Sequence, residues 1–299
     1  MNDLIGRSYS SRTLATYHRA WARLQAFAAE VNRPAQVPVD QNLLALFVAQ
    51  QYKEGLSPGS INSQLVAIGF FHKIKGFVDP SKSFLLQRVL MGIKSRAPPP
   101  NCVSPIRRFL LQDMCDFVDR IGIYSNYDRV LVKSMLLLMY QACFRFSEVG
   151  NSNGIKHALR RENVRIDSKG DLGVTFTLGS YKNSKGPVTF RMEPAKDMRH
   201  CPVKALSEFL VLRDVSQGVM FTRENGRAVS RDWFAAQIKM LVQHLGLDPA
   251  RFNTHSLRAG RATDLAVVGT PELIIAETGR WNSPAYLRYV RFDVFVLPR

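Results

Sequence analysis

The sequence predicts a mainly α fold with one small β-sheet (α+β), in which an all-helical N-terminal domain precedes a larger mixed domain. Three observations predict it. Apolar residues recur at three- and four-residue spacings over most of the chain, the mark of amphipathic helices. Residues 174–178 and 188–192 have the β-branched and aromatic content of strands. A proline run, Pro98-Pro99-Pro100, separates the helical first third from the remainder, because proline cannot continue a helix and favours extended geometry. A chain of 299 residues has length for two domains with a core each. The expected boundaries are 1–96 for the helical domain, 97–104 for a linker and 105–299 for the mixed domain.

In the first domain, Tyr17, Trp21, Leu24 and Phe27 recur at spacings of four and three within residues 9–31, while Arg12, Arg19 and Arg23 fall between them and remain available. Asp40 can cap a second helix carrying Leu43, Leu44, Phe47 and Val48, which stops near Gly55. Ser57-Pro58 supplies an N-cap and a first-turn proline for a third, with Ile61, Leu65, Ile68 and Phe71 on one face. A fourth runs from Phe84 to about Ser95. Beyond the linker, helices are expected around Leu111 to Arg120 and, strongly apolar, from Asp128 to Ala142. The two strands then flank the turn Tyr181-Lys182-Asn183-Ser184-Lys185-Gly186, so a β-hairpin presents two lysines at its tip. Pro202 opens another helix; Ser230 caps one that Gly246 ends.

The last stretch carries the densest set of polar motifs. Thr254 is expected to cap a helix on which His255 and Arg258, at i and i+3, share a face about 5–6 Å apart. Their nitrogens then point into one volume at a helix N-terminus, where free N–H groups and the dipole favour an anion. Gly269 ends that helix near Val268. Thr270-Pro271 opens a further helix that Gly279 closes, and Arg280-Trp281 follows. Tyr286 and Tyr289 lie on a third helix. The tail from Phe292 to Leu297 is too apolar to be left in water at no cost, and docking on a neighbouring copy or on its own domain is expected.

Composition narrows the partner. Lys+Arg 41 against Asp+Glu 24 gives a formal net charge of +17 and a pI near 10.1, the footprint of a polyanion partner. Residues 1–100 carry 12 basic and 5 acidic side chains (+7) and the remainder 29 and 19 (+10), so both parts should touch it. A membrane surface is not the expected partner, since the sequence has no long basic amphipathic helix, lipidation signal or membrane-length apolar run. The N-terminus lacks the apolar core of a secretory signal, which predicts a reducing compartment. Cys102, Cys115, Cys143 and Cys201 are far apart with no Cys-x-x-Cys pair, so neither disulfides nor structural zinc is expected.

Arg145, a hairpin lysine, His255, Arg258, Arg280 and a tyrosine form the ordered set. Attack on a phosphodiester needs its non-bridging oxygens neutralised, which arginine's planar fork does bidentately. It needs a proton for the departing 5′-oxygen, which a hairpin lysine can deliver, and a nucleophile, which a positive pocket can make of a phenol. No carboxylate cluster for a two-metal nuclease and no glycine-rich ATP loop is present, so no cofactor is expected.

These motifs, in this order, resemble those of the tyrosine recombinases (the phage-integrase family). The resemblance covers nearly the whole chain: Arg145-Phe146-Ser147-Glu148, the hairpin lysine, His255-x-x-Arg258, Gly279-Arg280 and a tyrosine ten residues after that glycine. It implies a helical DNA-clamping domain, a catalytic domain, double-stranded DNA as partner and self-association, as a tetramer on paired sites. It implies cleavage through a 3′-phosphotyrosyl bond with release of a 5′-hydroxyl and rejoining to another strand, without metal or ATP. It places Arg145, Lys182, His255, Arg258, Arg280 and Tyr289 in the catalytic set, with Lys185 the alternative lysine and Tyr286 the alternative nucleophile. The chain departs from the pattern at Arg280, where the family usually has histidine or tryptophan; Trp281 stands one place on. The Gly-Arg-Trp form is similar to recombinases of eukaryotic mobile elements such as DIRS-like retroelements and Cryptons, which implies a nuclear location; a prokaryotic host would place the protein at the nucleoid. Taken singly, each motif has an ordinary reading as a helix start, a salt bridge or a packing aromatic. Two alternatives stay open: a DNA-binding relative that has lost cleavage, and a type IB topoisomerase, which uses the same chemistry to relax supercoils.

Overall fold

The computed structural model describes residues 8–97, 103–151, 157–167, 173–180 and 186–291. The proline run, Lys182, Lys185 and the apolar tail lie outside these residues. The chain divides into two compact units, residues 1–100 and 101–299. Among the described residues no helix is long and apolar enough to cross a membrane, and Cys115, Cys143 and Cys201 are free thiols.

The first unit contains α1 (Ser11–Glu30), α2 (Gln41–Lys53), α3 (Pro58–Ile74) and α4 (Phe84–Arg96). Ser10, Asp40, Ser57 and Ser83 each accept a backbone N–H two or three positions into their helix, a cap worth about 1 kcal/mol. The helices close over Leu24, Leu43, Leu44, Phe47, Ile61, Leu65, Ile68 and Leu86. Inside this core His72 accepts the Val39 N–H at Nε2 (2.9 Å) and donates from Nδ1 to the Ile68 carbonyl (2.8 Å); it is a satisfied neutral imidazole. The arginine face of α1 is less open than its periodicity implies. Arg23 pairs with Glu54 at 3.3 Å and Arg19 folds back onto the Ala15 carbonyl, although exposed pairs such as Arg23–Glu54 are weak.

The second unit is built on α5 (Arg108–Arg120), α6 (Asn126–Gln141), the single turn α7 (Phe146–Val149), α8 (Pro202–Arg213), α9 (Arg231–His244), α10 (Thr254–Val267) and α11 (Glu272–Gly279). Helix α6 is buried on nearly every side from Val130 to Tyr140, as a helix apolar all round must be; α5, α8 and α10 pack around it. An antiparallel sheet of order β1-β2-β3 is formed by Val164–Asp167, Gly173–Leu178 and Val188–Met192. Leu178 faces Val188 and Val174 faces Met192, while β1 joins the other edge with Val164 opposite Phe176. Strand β1 has no counterpart in the sequence expectations, because a four-residue run is too short for alternation to register. Phe176 and Phe190 stack at 5.4 Å, and Phe144 meets Phe190 at 5.6 Å, so the sheet packs against the residue preceding Arg145.

Candidate active site

Arg145 owes its position to the end of α6. Cys143 takes a left-handed conformation (φ 50°), the chain turns, and Arg145 becomes the N-cap of α7. Its Nη1 donates to Glu148 Oε1 at 2.9 Å, and its backbone N–H donates to Oε2 at 2.9 Å. Glu148 is 1% exposed. Arg280 approaches from the other side, with Nη2 on Glu148 Oε2 at 2.8 Å and further bonds to the carbonyls of Ala142, Cys143 and Thr278. Burial alone pushes the Glu148 pKa up most strongly. The charges of Arg280 and Arg145, with the Arg145 N–H, outweigh it and hold the carboxyl below its ordinary range.

Helix α10 supplies the next pair. Its cap is Asn253, one residue earlier than the sequence reading of Thr254: Asn253 Oδ1 accepts the His255 N–H at 2.7 Å, while Ser256 Oγ accepts the Asn253 N–H at 3.0 Å. Asparagine followed three residues on by serine makes a reciprocal cap that the threonine cannot. Arg258 is fully buried; Nη1 donates to the Cys143 carbonyl and Nη2 to the Gly279 carbonyl. His255 is half-buried. Burial lowers its pKa most, and the charges of Arg231, Arg258 and Arg145 lower it further, which keeps the imidazole neutral at pH 7.

The Gly279-Arg280-Trp281 turn differs from its sequence reading in an informative way. Helix α11 starts at Glu272 with Pro271 as its cap, not at Pro271 after a threonine cap, and Gly279 lies inside it. The left-handed residue that ends it is Arg280 (φ 56°). Glycine is needed at 279 for another reason: a Cβ there would stand 1.8 Å from the Trp281 ring. The indole therefore lies against the Gly279 backbone. From there it stacks over Arg258, whose guanidinium carbon is 4.0 Å from the ring centroid, and meets the Tyr289 ring at 5.1 Å. Arg258 Nε and Trp281 Nε1 are buried without an acceptor.

The two tyrosines are separated by their surroundings. Residues Pro284–Arg288 form a 3₁₀ turn rather than an α-helix, and Tyr289 caps its end. Tyr286 is buried, and a hydrogen bond to Glu272 raises its phenol pKa. Tyr289 is half-exposed, with the Arg258 guanidinium 5.3 Å from its ring centroid and the Trp281 ring 5.1 Å away. Its segment is tied to α10 through Thr263, whose hydroxyl accepts the Arg291 N–H at 3.1 Å.

Arg145, His255, Arg258, Arg280, Trp281 and Tyr289 thus converge around the ends of α6, α10 and α11. Arg280 is turned inward onto Glu148. Lys182 and Lys185 lie outside the described residues; the paired strands on either side of them are in hairpin register. Sequence reasoning did not single out Arg231, which starts α9, lies 5.8 Å over the Phe146 ring and acts on His255. In one dimension it is an ordinary surface arginine after the cap Ser230. A cleft of ≈ 520 Å³ lies behind Arg280, lined in part by Phe190, Arg191, Arg261 and Glu277, and does not include His255 or Tyr289.

A family model described as the phage integrase family matches residues 111–291. A comparison with curated proteins finds no significant match. Among solved structures, the fold is similar to that of the XerH site-specific recombinase bound to a palindromic difH substrate, with TM-score 0.67 and 16% identity over 96% of this chain and 78% of that one. The Tn1549 transposon integrase in complex with transposon right end DNA gives TM-score 0.62 and 14% identity, covering 95% and 91%. A lambda integrase dimer bound to a core site gives 0.59 and 10%, covering 100% and 77%. Such low identities speak for the fold alone.

Proposed function

We propose that this chain, which belongs to the phage integrase family of tyrosine recombinases, cuts and rejoins DNA at specific sites through a 3′-phosphotyrosyl bond on Tyr289. The observation that carries this reading is Tyr289 beside the buried Arg258, with the Trp281 ring against the Arg258 guanidinium and the Tyr289 ring. The duplex enters as a phosphodiester. Arg145 and Arg258 take up its non-bridging charge, which grows as the five-coordinate phosphorus forms, in a site where water is largely excluded.

Neutral His255 accepts the phenol proton as the Tyr289 oxygen attacks phosphorus. The bond to the 5′-oxygen breaks, and Lys182 supplies the proton that makes it a hydroxyl. Rejoining runs the same steps in reverse with a 5′-hydroxyl from another strand. The bond energy is held in the phosphotyrosyl ester, so neither metal nor ATP enters the scheme. Arg280, with Glu148, Ala142, Cys143 and Thr278 around its guanidinium, positions Arg145 and the Gly279 turn from behind. Exchange between two duplexes requires four such sites, so the chain works as a tetramer on paired DNA sites, with residues 1–100 adding DNA contacts of their own. The DNA complexes of XerH and the Tn1549 integrase support duplex DNA as the partner.

The test is covalent capture. A randomised library of nicked duplexes, in which the short downstream fragment bearing the released 5′-hydroxyl diffuses away, is incubated with the full chain and adducts are sequenced. Wild type and Tyr286→Phe are expected to yield adducts; Tyr289→Phe is expected to yield none while still binding DNA. An adduct peptide carrying DNA on Tyr286 reverses the assignment, and a wild-type chain that binds but never traps DNA favours the non-cleaving relative.

A further inference from the structure

The side of α10 that carries Gly260 and Asp264 is gripped by the segment that opens the second unit. The Ser104 N–H donates to the Arg251 carbonyl at 2.7 Å, and the Ile106 N–H donates to the Ser256 carbonyl at 2.9 Å. A Cβ on Gly260 would stand 1.7 Å from the Ile106 carbonyl oxygen, so glycine is what allows the approach. One turn further, the Asp264 carboxylate gathers three donors: Arg107 Nε at 2.7 Å, the Arg108 N–H at 2.8 Å and the Tyr140 hydroxyl at 2.5 Å. Tyr140 is 3% exposed, and burial, followed by the bond to Asp264, pushes its pKa up, which keeps the phenol a donor.

Asp264 therefore joins three pieces of chain: the strap 104–108, α6 and α10. Helices α6 and α10 are tied at two points. One is Tyr140 with Asp264. The other is the Cys143 carbonyl, in the turn that follows α6, with Arg258, six residues before Asp264 on α10. The neighbouring residue Thr263 holds the Tyr289 segment through the Arg291 N–H. A rotation of α10 that breaks the Asp264 junction thus turns Arg258 away from Cys143 and moves Tyr289 with it. We propose that Asp264 is a positioning residue for strand cleavage: by locking α10 to the strap and to Tyr140 it sets the guanidinium of Arg258 against the phosphate and the nucleophile. This rests on the recombinase reading of the site above.

The experiment uses the full chain and a nicked duplex selected by covalent capture on the wild type, made once with a normal scissile phosphate and once with a neutral methylphosphonate. Neutralising that position removes the charge Arg258 is there to meet, so a defect that acts through Arg258 shrinks on it, whereas a general loss of fold does not. Asp264→Asn places an amide N–H against Arg107 and Arg108, and Tyr140→Phe deletes one donor with little change of shape. Both variants are expected to bind the normal duplex within about threefold of wild type. Asp264→Asn should cleave it at least tenfold more slowly at saturating DNA, Tyr140→Phe by a smaller factor, and both deficits should fall below about threefold on the methylphosphonate, as should that of Arg258→Ala. Cleavage at the wild-type rate in both variants, or a deficit equal on the two substrates, overturns the inference while leaving the recombinase reading intact. If Asp264→Asn does not fold, Tyr140→Phe carries the same comparison. A wild-type chain that forms no adduct sinks the recombinase reading and this inference with it.

Discussion

Arg280 is the residue whose sequence reading and structural setting differ most. Read along the chain, it follows Gly279 where a phosphate ligand is expected. In three dimensions its guanidinium lies between a buried carboxylate and three carbonyls, because the left-handed turn at 280 directs the side chain back under α7. Removing one partner of a buried ion pair typically costs about 3–5 kcal/mol. Arg280→Ala is expected near the lower end of that range, since Glu148 keeps Arg145; denaturant unfolding measures it. A variant as stable as wild type would show that the pair contributes nothing. His255 provides a second prediction at this scale. Its folded pKa is depressed, so the unfolded chain binds the extra proton more readily. The His255 contribution to stability is then complete above pH 6.5 and declines as pH falls below that value. The imidazole should titrate below 6.5 by NMR in the free protein and move upward when DNA brings its phosphates close. A His255 that titrates at or above its ordinary value in the free chain would contradict the crowding by Arg231, Arg258 and Arg145.

Elements were legible in the sequence where a periodic apolar stripe met a capping residue, as at Ser57-Pro58 and Ser230. They were misread where tertiary packing set the boundary. Gly279 reads as a terminator because glycine usually ends helices, yet it is there to admit the Trp281 ring. The segment holding both tyrosines reads as helical, yet Pro284–Arg288 is a 3₁₀ turn, and only the folded chain shows Tyr286 bonded to Glu272 and Tyr289 beside Arg258. Asp264 gave no signal at all, since its partners are more than 100 residues away. The hairpin β2–β3 was legible from composition and carries the next prediction. Leu178 stands opposite Val188, so the strands on either side of Lys182 and Lys185 are in register, and Lys182 is proposed as the general acid. Lys182→Ala should slow cleavage of a normal nicked duplex by roughly 10²–10⁴-fold, the usual worth of a positioned proton donor. A substrate with a 5′-phosphorothiolate leaving group, which departs without protonation, should restore most of that loss. If it restores Lys185→Ala and not Lys182→Ala, the two lysines exchange roles.

At the scale of the whole molecule the governing quantity is charge. A net +17 over 299 residues is spread across both units, +7 in residues 1–100 and +10 beyond, which costs self-repulsion in the free protein and is relieved by a polyanion. Each phosphate neutralised on a duplex releases condensed counterions, so log K should fall with log salt by roughly 0.9 per contact, and a clamp of about six contacts by roughly 5. Arg231 makes this resolvable at one residue. It is exposed, starts α9, lies 5.8 Å over the ring of Phe146, and its charge acts on His255. If the sugar–phosphate backbone runs on past the scissile position over Phe146, Arg231→Ala should flatten the salt slope by about 0.9 and weaken binding similarly on every sequence, because a phosphate contact carries no base identity. The same substitution removes the largest charge acting on His255, so the imidazole pKa should rise in the variant. A slope unchanged within error, together with an unchanged His255 titration, would place Arg231 outside the path of the DNA and confine the phosphate site to Arg145, Arg258 and the donors around Tyr289.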